Sequence, residues 1–527
     1  MTRTISLTLV VVLLAVCHFS VPVKSVAKPR LTVVFVIDGL RPDSITPGVM
    51  PNLARLKSEG TFYLNSHSVF PTVTRVNAAA ISTGTQPNKT GIVANSMYVT
   101  GVNPKGPFST ANYRNLLKLA ELNGGRLLPP QTLAEVIEKS GLRFVAASSG
   151  STGNAILLNP TAPNGTGVLI NGGFEVNKKV AYPEKINQEI IAKFGAVESD
   201  NGFASVQWTE RVVREHVLGE IKPDVLIDWM TEPDTTQHKY GAGSPEALAM
   251  LKQVDEQLGL FLDRLRSLDL YDQTNIMIVS DHGFAVHNNG VAISESLVKS
   301  KLKTSAESDD VVIVSEGPTT LLYVRNKDRK KVAQLVQHLQ KQPWTGAIFT
   351  PAATGQSVRG WVSGTFSLQL IHEASEGVRA PDVLFTMDWS SEKNRFGVAG
   401  ADSTYSSRVT GPLSGDGSGH GSMNPFVVNN TMILWGPSYR TGAVIEAPSG
   451  NVDVLPTILA SLSLDQPPGV DGRALSEAFR DGPDPKKVEH EIKLVRVTAG
   501  PHYAAVLQYS TVGPHRYIDK SWRVSRE

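Results

Sequence analysis

The chain has 527 residues, 41% of them hydrophobic and 19% charged, with a formal net charge of +2. That length accommodates one large domain with insertions or two domains, and the ordinary composition excludes a disordered or fibrous protein. The near-neutral balance excludes the basic footprint of a nucleic-acid binder.

Residues 1–27 stand apart. Arg3 precedes the apolar run Ile5–Cys17 (ISLTLVVVLLAVC), and Ser25–Ala27 (SVA) sets small residues at the spacing of a signal-peptidase site. This predicts a cleaved secretory signal over 1–27 and a mature chain starting near Lys28. The run is short for a membrane span, so no stable transmembrane segment is expected after cleavage. A lipid anchor on Cys17 is the alternative, but Val16 stands where a small residue would be needed. Cys17 is the only cysteine, so the mature chain would have no disulfide, thiolate metal site or thiol nucleophile. Any metal would have to be held by histidine and carboxylate.

From Lys28 on, strands and helices alternate. Continuous apolar runs read as strands at Leu31–Ile37 (LTVVFVI), Leu142–Ser148 (LRFVAAS), Pro223–Met230 (PDVLIDWM), Thr274–Ser280 (TNIMIVS) and Asn430–Gly436 (NTMILWG). Unbroken runs of this kind are expected of strands covered on both faces. Helices are predicted over Pro129–Gly141, with a proline start and a glycine stop, and over Ser244–Leu268. The fold class is therefore α/β, a doubly wound and mostly parallel central sheet with helices on both faces. Two regions fit the alternation less well, 153–212 and 297–415. Both are read as insertions over one face, the second forming a cap. The expected organisation is a catalytic domain over 28–480 followed by a C-terminal extension over 481–527.

Carboxylates and imidazoles gather just past the strands. Asp38 follows the first, Asp234 and His238 the third (IDWMTEPDTTQHKYG), and Asp281 with His282 the fourth (IVSDHGF), while His420 lies between two glycines (GSGHGS). Singly each has a plain structural role: Asp38 could cap a turn or pair with Arg41, and Asp234 could bond His238 within one turn. Together they place hard and borderline donors at the sheet edge where α/β proteins bind ligands. Oxygen and nitrogen donors without sulfur suit catalytic zinc. Six ligands are too many for one open zinc and fit two metals, a clamp for in-line displacement at phosphorus. A nucleophile is offered by PTVTRVN, where Thr74 falls in the first turn of a helix; a hydroxyl there sees the positive dipole end and free N–H groups. An N-cap role for Thr72 or Thr74 is the structural alternative.

These motifs resemble the alkaline phosphatase superfamily in its nucleotide pyrophosphatase/phosphodiesterase branch, the type I phosphodiesterases. That branch reads strand-Asp-Gly, then Pro-Thr-Lys-Thr-Phe-Pro-Asn, Gly-Ile-x-x-Asn-Ser-Met-Tyr and Glu-Pro-Asp-x-x-Gly-His-x-Tyr-Gly. Their counterparts here are PTVTRVN, GIVANSMY and EPDTTQHKYG, completed by SDHG and GHG. The resemblance implies that Thr74 is the nucleophile and that Asn95 contacts a phosphoryl oxygen. It implies two Zn²⁺ per chain, one held by Asp234, His238 and His420, the other by Asp38, Asp281 and His282 and activating Thr74. The segment Gly450–Leu475 looks like the closing helix and turn of the superfamily. Two departures stand out: Arg75 and Val76 replace the Phe-Pro pair, and Gln237 replaces a glycine.

What the resemblance implies is a hydrolase of small-molecule phosphate esters, acting on phosphodiester or nucleotide pyrophosphate bonds; the leader predicts export, and the lack of cysteine after it suits the bacterial periplasm or secretion better than the disulfide-rich animal members. A phosphomonoesterase of the alkaline phosphatase type and a phosphonoacetate hydrolase-like enzyme remain open. The Lys-x-Arg pair of threonine-type monoesterases is absent between Thr74 and Asp234, whereas Arg75 could supply a charge. A secreted zinc-binding protein without turnover is the non-enzyme alternative.

Overall fold

The strand Leu31–Ile37 forms where expected, and every one of its residues is buried. Val34 and Val36 join one apolar core, while Leu31, Val33, Phe35 and Ile37 join a second on the opposite face. Alternate residues serve different cores, which is why the run shows no polar interruptions. In this computed structural model the described residues are 28–524, except 174–178, 198–201, 356, 374–376, 378, 408–409, 414 and 416. The expected signal over 1–27, including Cys17, lies outside them.

Nine strands make the central sheet. From one edge to the other they run Ala443–Ile445, Thr61–Tyr63, Met432–Trp435, Thr274–Val279, Leu31–Ile37, Val225–Met230, Phe144–Ser148, Val168–Ile170 and Ala181–Tyr182. The five from Thr274–Val279 through Val168–Ile170 are parallel, and Met432–Trp435 and Ala181–Tyr182 pair antiparallel to their neighbours. The sheet is thus mostly parallel, as expected. The long helix spans Pro245–Ser267, with Ser244 accepting a hydrogen bond from the Ala247 N–H. The shorter one starts at Leu133, not at Pro129, because Thr132 and Glu135 form a reciprocal capping box.

Residues 153–212 do not simply lie over a face. They supply the edge strands Val168–Ile170 and Ala181–Tyr182, too short to be read as apolar runs. Residues 297–415 build most of two further sheets. One has the order Val311–Glu316, Thr319–Val324, Val383–Met387, Thr345–Thr350, Phe366–Ser367; the other joins Trp389–Lys393 and Ala399–Tyr405 to Ala285–Val291. The tail forms a three-stranded antiparallel meander, Glu491–Ala499, Tyr503–Val512 and His515–Arg523. It docks through polar pins: Tyr503 donates to the Gly346 carbonyl (2.7 Å), Tyr517 to Asp453 (2.9 Å), and Asp519 meets His67 Nε2 (2.8 Å).

A buried pair of acids lies beneath the sheet. Asp228, in the middle of Val225–Met230, faces Glu210, and all four carboxyl oxygens are buried without a conventional donor. Burial drives both carboxyls upward, so the pair holds a proton between its members. The unfolded carboxyls lose their protons near about pH 4. Above that pH the folded state binds more protons, so this pair makes stability fall as pH rises towards the raised folded value. Glu210→Gln, a permanent donor, is expected to flatten that slope and to raise Tm at pH 8 by about 1–4 °C over the parent. Thermal melts from pH 5 to 8 check it; an unchanged slope would assign the proton elsewhere.

Candidate active site

The first ligand candidate sits at a turn only glycine allows. Gly39 has φ +71°, and a Cβ there would lie 2.7 Å from the Phe284 ring. The chain therefore turns sharply past Asp38. Arg41 does not pair with Asp38; it grips Asp43 in a two-pronged contact (2.9 and 2.6 Å) and donates to the carbonyls of Phe284 and Ala399 (2.7 Å each). Asp38 Oδ2 instead accepts from the indole N–H of buried Trp229 (3.0 Å), which leaves Oδ1 buried and unpartnered.

The other ends converge on it. Asp281 Oδ1 accepts from the backbone N–H groups of Gly39 and His282, both at 3.0 Å, leaving Oδ2 without a donor. Asp234 is the first residue of the helix Asp234–Tyr240, with Oδ1 likewise buried and unpartnered. His282 Nε2 lies 3.5 Å from Asp38, 3.1 Å from Asp281 and 4.0 Å from Asp234. His238 and His420 place Nε2 at 3.4 and 3.6 Å from Asp234 Oδ1. The rings of His282 and His420 stack at 3.6 Å.

The histidine tautomers follow from their backs. Each Nδ1 meets a backbone carbonyl: His238 that of Ser418 (2.9 Å), His282 that of Gly283 (3.0 Å), His420 that of Thr72 (3.0 Å). In the neutral rings Nδ1–H donates there and Nε2 is turned inward, the arrangement of metal-binding imidazoles. Two groups, Asp38–Asp281–His282 and Asp234–His282–His420, have ligand atoms within 4.8 Å of one another. The second contains His282 where the sequence pattern pairs Asp234 with His238. His282 thus faces both groups, and His238 stands beside Asp234 on the same helix.

The electrostatics ask for a cation. Burial raises Asp38 well above the carboxylate range, and the charges of Asp281 and Asp234 raise it further. Burial works the same way on Asp234, but His238, His420 and His282 outweigh it and hold the carboxylate low. Burial drives His420 well down, and His282 adds to the effect. Converging carboxylates with bare oxygens and inward lone pairs fit a metal.

Thr74 opens the helix Thr74–Thr83, whose N-cap is Val73 and whose cap lacks a side-chain hydrogen bond. Neither threonine caps. Thr72 donates to the Ser422 carbonyl (2.8 Å), tying this loop to the His420 loop. Asn77, one turn on, donates to the carbonyls of Val69 (3.0 Å) and Val73 (3.1 Å) and accepts from the Val69 N–H (2.8 Å), so the loop bearing Thr74 is rigid. Asn95 Oδ1 accepts from the Arg75 N–H (3.0 Å), which leaves the amide nitrogen as the end able to donate. Gln237 has a use where the motif has glycine: its amide donates to the Gly39 carbonyl (3.0 Å), tying the Asp234–His238 helix to the Asp38 turn.

Three contributors escaped the sequence patterns. Trp229 sits within an apolar strand and reads as core. Asn77 was legible as the last residue of PTVTRVN but had no visible partner. Glu316, at the end of Val311–Glu316, accepts from the backbone N–H groups of Asn95 (3.0 Å) and Ser96 (2.7 Å). Burial raises its carboxyl to about 7. A strand ending in Glu-Gly was its only signal.

A central sheet of this topology with a carboxylate–imidazole cluster, tied through the Thr72 carbonyl to the loop that leads into a helix-borne threonine, defines a hydrolase-like class, and comparison with known proteins gives the family. The family model "type I phosphodiesterase / nucleotide pyrophosphatase" matches residues 32–392, so the chain belongs to that family. The match includes Thr74, Asn95 and every ligand candidate except His420, which lies beyond it. Venom phosphodiesterase 2 of Crotalus adamanteus is 26% identical over 253 residues, 48% of this chain and 26% of that protein. Human ectonucleotide pyrophosphatase/phosphodiesterase family member 1 is 28% identical over 259 residues, 48% of this chain and 23% of that protein. The aligned stretch spans only about a quarter of these relatives. Murine ectonucleotide pyrophosphatase/phosphodiesterase 5, solved as an inactive threonine-to-alanine variant with AMP, matches with a TM-score of 0.56 at 16% identity. That alignment covers 83% of this chain and 96% of that one, and shows the shared fold. Among the described residues no helix is long and apolar enough to cross a membrane.

Proposed function

We propose that this protein is an exported hydrolase of phosphodiester and nucleotide pyrophosphate bonds, working through a phosphothreonine on Thr74 at a two-zinc site. The observation that carries the reading is the convergence of three bare carboxylate oxygens, on Asp38, Asp234 and Asp281, with the inward Nε2 atoms of His238, His282 and His420. Asp234, His238 and His420 would hold one metal; Asp38, Asp281 and His282, joined by the Thr74 oxygen, the other. When bound, such metals act as Lewis acids, making hydroxyl groups and water more acidic and neutralising phosphoryl charge.

The chain's own groups supply the rest. Thr74 Oγ attacks phosphorus in line, its bond forming as the bond to the leaving oxygen breaks, and the hydroxyl proton it gives up is balanced by protonation of the departing oxygen. Asn95 Nδ2 and N–H groups of the helix terminus hold the non-bridging oxygens as charge grows on them. Water then attacks the same phosphorus from the other side, and the bond to Oγ breaks, returning the hydroxyl. Two inversions give retention at phosphorus. Export rests on the leader-like segment 1–27, and the names of the venom relatives are in keeping with it.

The test compares thymidine 5′-p-nitrophenyl phosphate, bis-p-nitrophenyl phosphate and p-nitrophenyl phosphate with added Zn²⁺. The expected result is a higher kcat/KM for the nucleotide diester than for the monoester. Metal binding with no hydrolysis of any ester would overturn the reading.

A further inference from the structure

Arg75 is the residue beside the nucleophile, and its surroundings are unusual. Its backbone is fixed, because its N–H is held by Asn95 Oδ1 (3.0 Å) in the first turn of a rigidly braced helix. Its side chain is partly covered, and Nε is buried with no hydrogen-bond partner. Burial acts most on its guanidinium, followed by the charges of Glu316, Asp38, Asp234 and Asp281, so it lies within electrostatic range of the ligand cluster. His238 also feels its charge. Glu316 spends part of its accepting capacity on the N–H groups of Asn95 and Ser96. A planar fork of donors whose Nε is buried and unmet, one residue from Thr74, is poised for another anionic oxygen.

Resting on the reading above, we propose that Arg75 is a specificity-determining residue that grips an anionic phosphoryl oxygen beyond those of a simple diester. The chemistry it recognises is this additional phosphoryl charge. Two sources could supply it: the neighbouring phosphate of a nucleoside triphosphate, or the third oxygen of a monoester. Where the family motif has an apolar phenylalanine, this chain presents a cation, so the ground next to the nucleophile favours charge over an aromatic ring.

The test measures kcat/KM of the zinc-loaded parent, Arg75→Ala, Arg75→Phe and Arg75→Lys on three substrates. ATP carries the extra charge on the next phosphorus, p-nitrophenyl phosphate on the same phosphorus, and bis-p-nitrophenyl phosphate lacks it. A charged hydrogen bond predicts a fall of roughly 10- to 100-fold for Ala and Phe on the substrates with extra charge, and less than about threefold on the diester. Lysine, a point charge without the fork, should restore part of the loss. A selective fall on ATP alone assigns the neighbouring phosphate, and a fall on the monoester alone assigns the third oxygen. Inorganic pyrophosphate and orthophosphate, titrated by calorimetry, should lose affinity in the same order. An equal fall on all three substrates, or unchanged anion affinity in correctly folded Arg75→Lys and Arg75→Ala, would overturn the proposal and leave the hydrolase reading standing. A parent inactive on every ester would instead defeat the hydrolase reading itself.

Discussion

Thr74→Ala is expected to lower kcat by roughly 10³- to 10⁶-fold on every substrate, the range seen when a nucleophile or its partner is removed from a catalytic unit. The fold should tolerate it. The hydroxyl caps nothing, the helix is braced by Asn77, and the six carboxylate and imidazole ligands are unchanged. Acid quenching during turnover should trap phosphate on the peptide containing Thr74 in the parent and none in the variant. Activity within tenfold of the parent, with no labelled peptide, would mean that water attacks directly and that Thr74 only lines the site.

Asp281→Asn is the second large effect. One carboxylate oxygen accepts two backbone N–H groups, and the other is bare and faces His282 Nε2 at 3.1 Å. The amide can keep the first role only by turning its NH₂ group into the second position, where it presents hydrogens to the cation. Metal analysis after desalting should show one equivalent lost per chain, and turnover should fall by on the order of 10³-fold or more. The metal-free variant should be as stable as the metal-free parent or more so, because Asp281 is one of the charges that repel Asp38. Added Zn²⁺ should then raise the Tm of the parent more than that of the variant. Undiminished metal content would remove Asp281 from the ligand set.

Much of this site was legible because ligands and strands share a grammar. An apolar run followed by Asp or Asp-His marks a strand end in a parallel sheet, and three such ends lie in order along the chain, after Leu31–Ile37, Pro223–Met230 and Thr274–Ser280. The supporting groups were illegible for a common reason: their roles lie in partners far away in sequence. Trp229 donates to Asp38 across 191 positions, and Glu316 holds the Asn95 backbone across 221. The edge strands of region 153–212 were illegible for another reason. Edge strands of two or three residues carry no periodicity, yet they pair with the sheet through backbone groups that any side chain permits.

What the sequence by itself determined was local: which segments are apolar enough to be strands, which residues carry ligand atoms, and that a hydroxyl opens a helix after PTV. The tertiary structure decided the rest. It decided that His282 faces both carboxylate groups, that Arg41 takes Asp43 instead of Asp38, and that Asn95 holds the Arg75 N–H next to Thr74. Composition and periodicity report on burial and on backbone conformation, which are properties of short stretches. A site is a set of distances between distant residues, and these arise only when buried cores on both faces of one sheet bring its strand ends to the same edge.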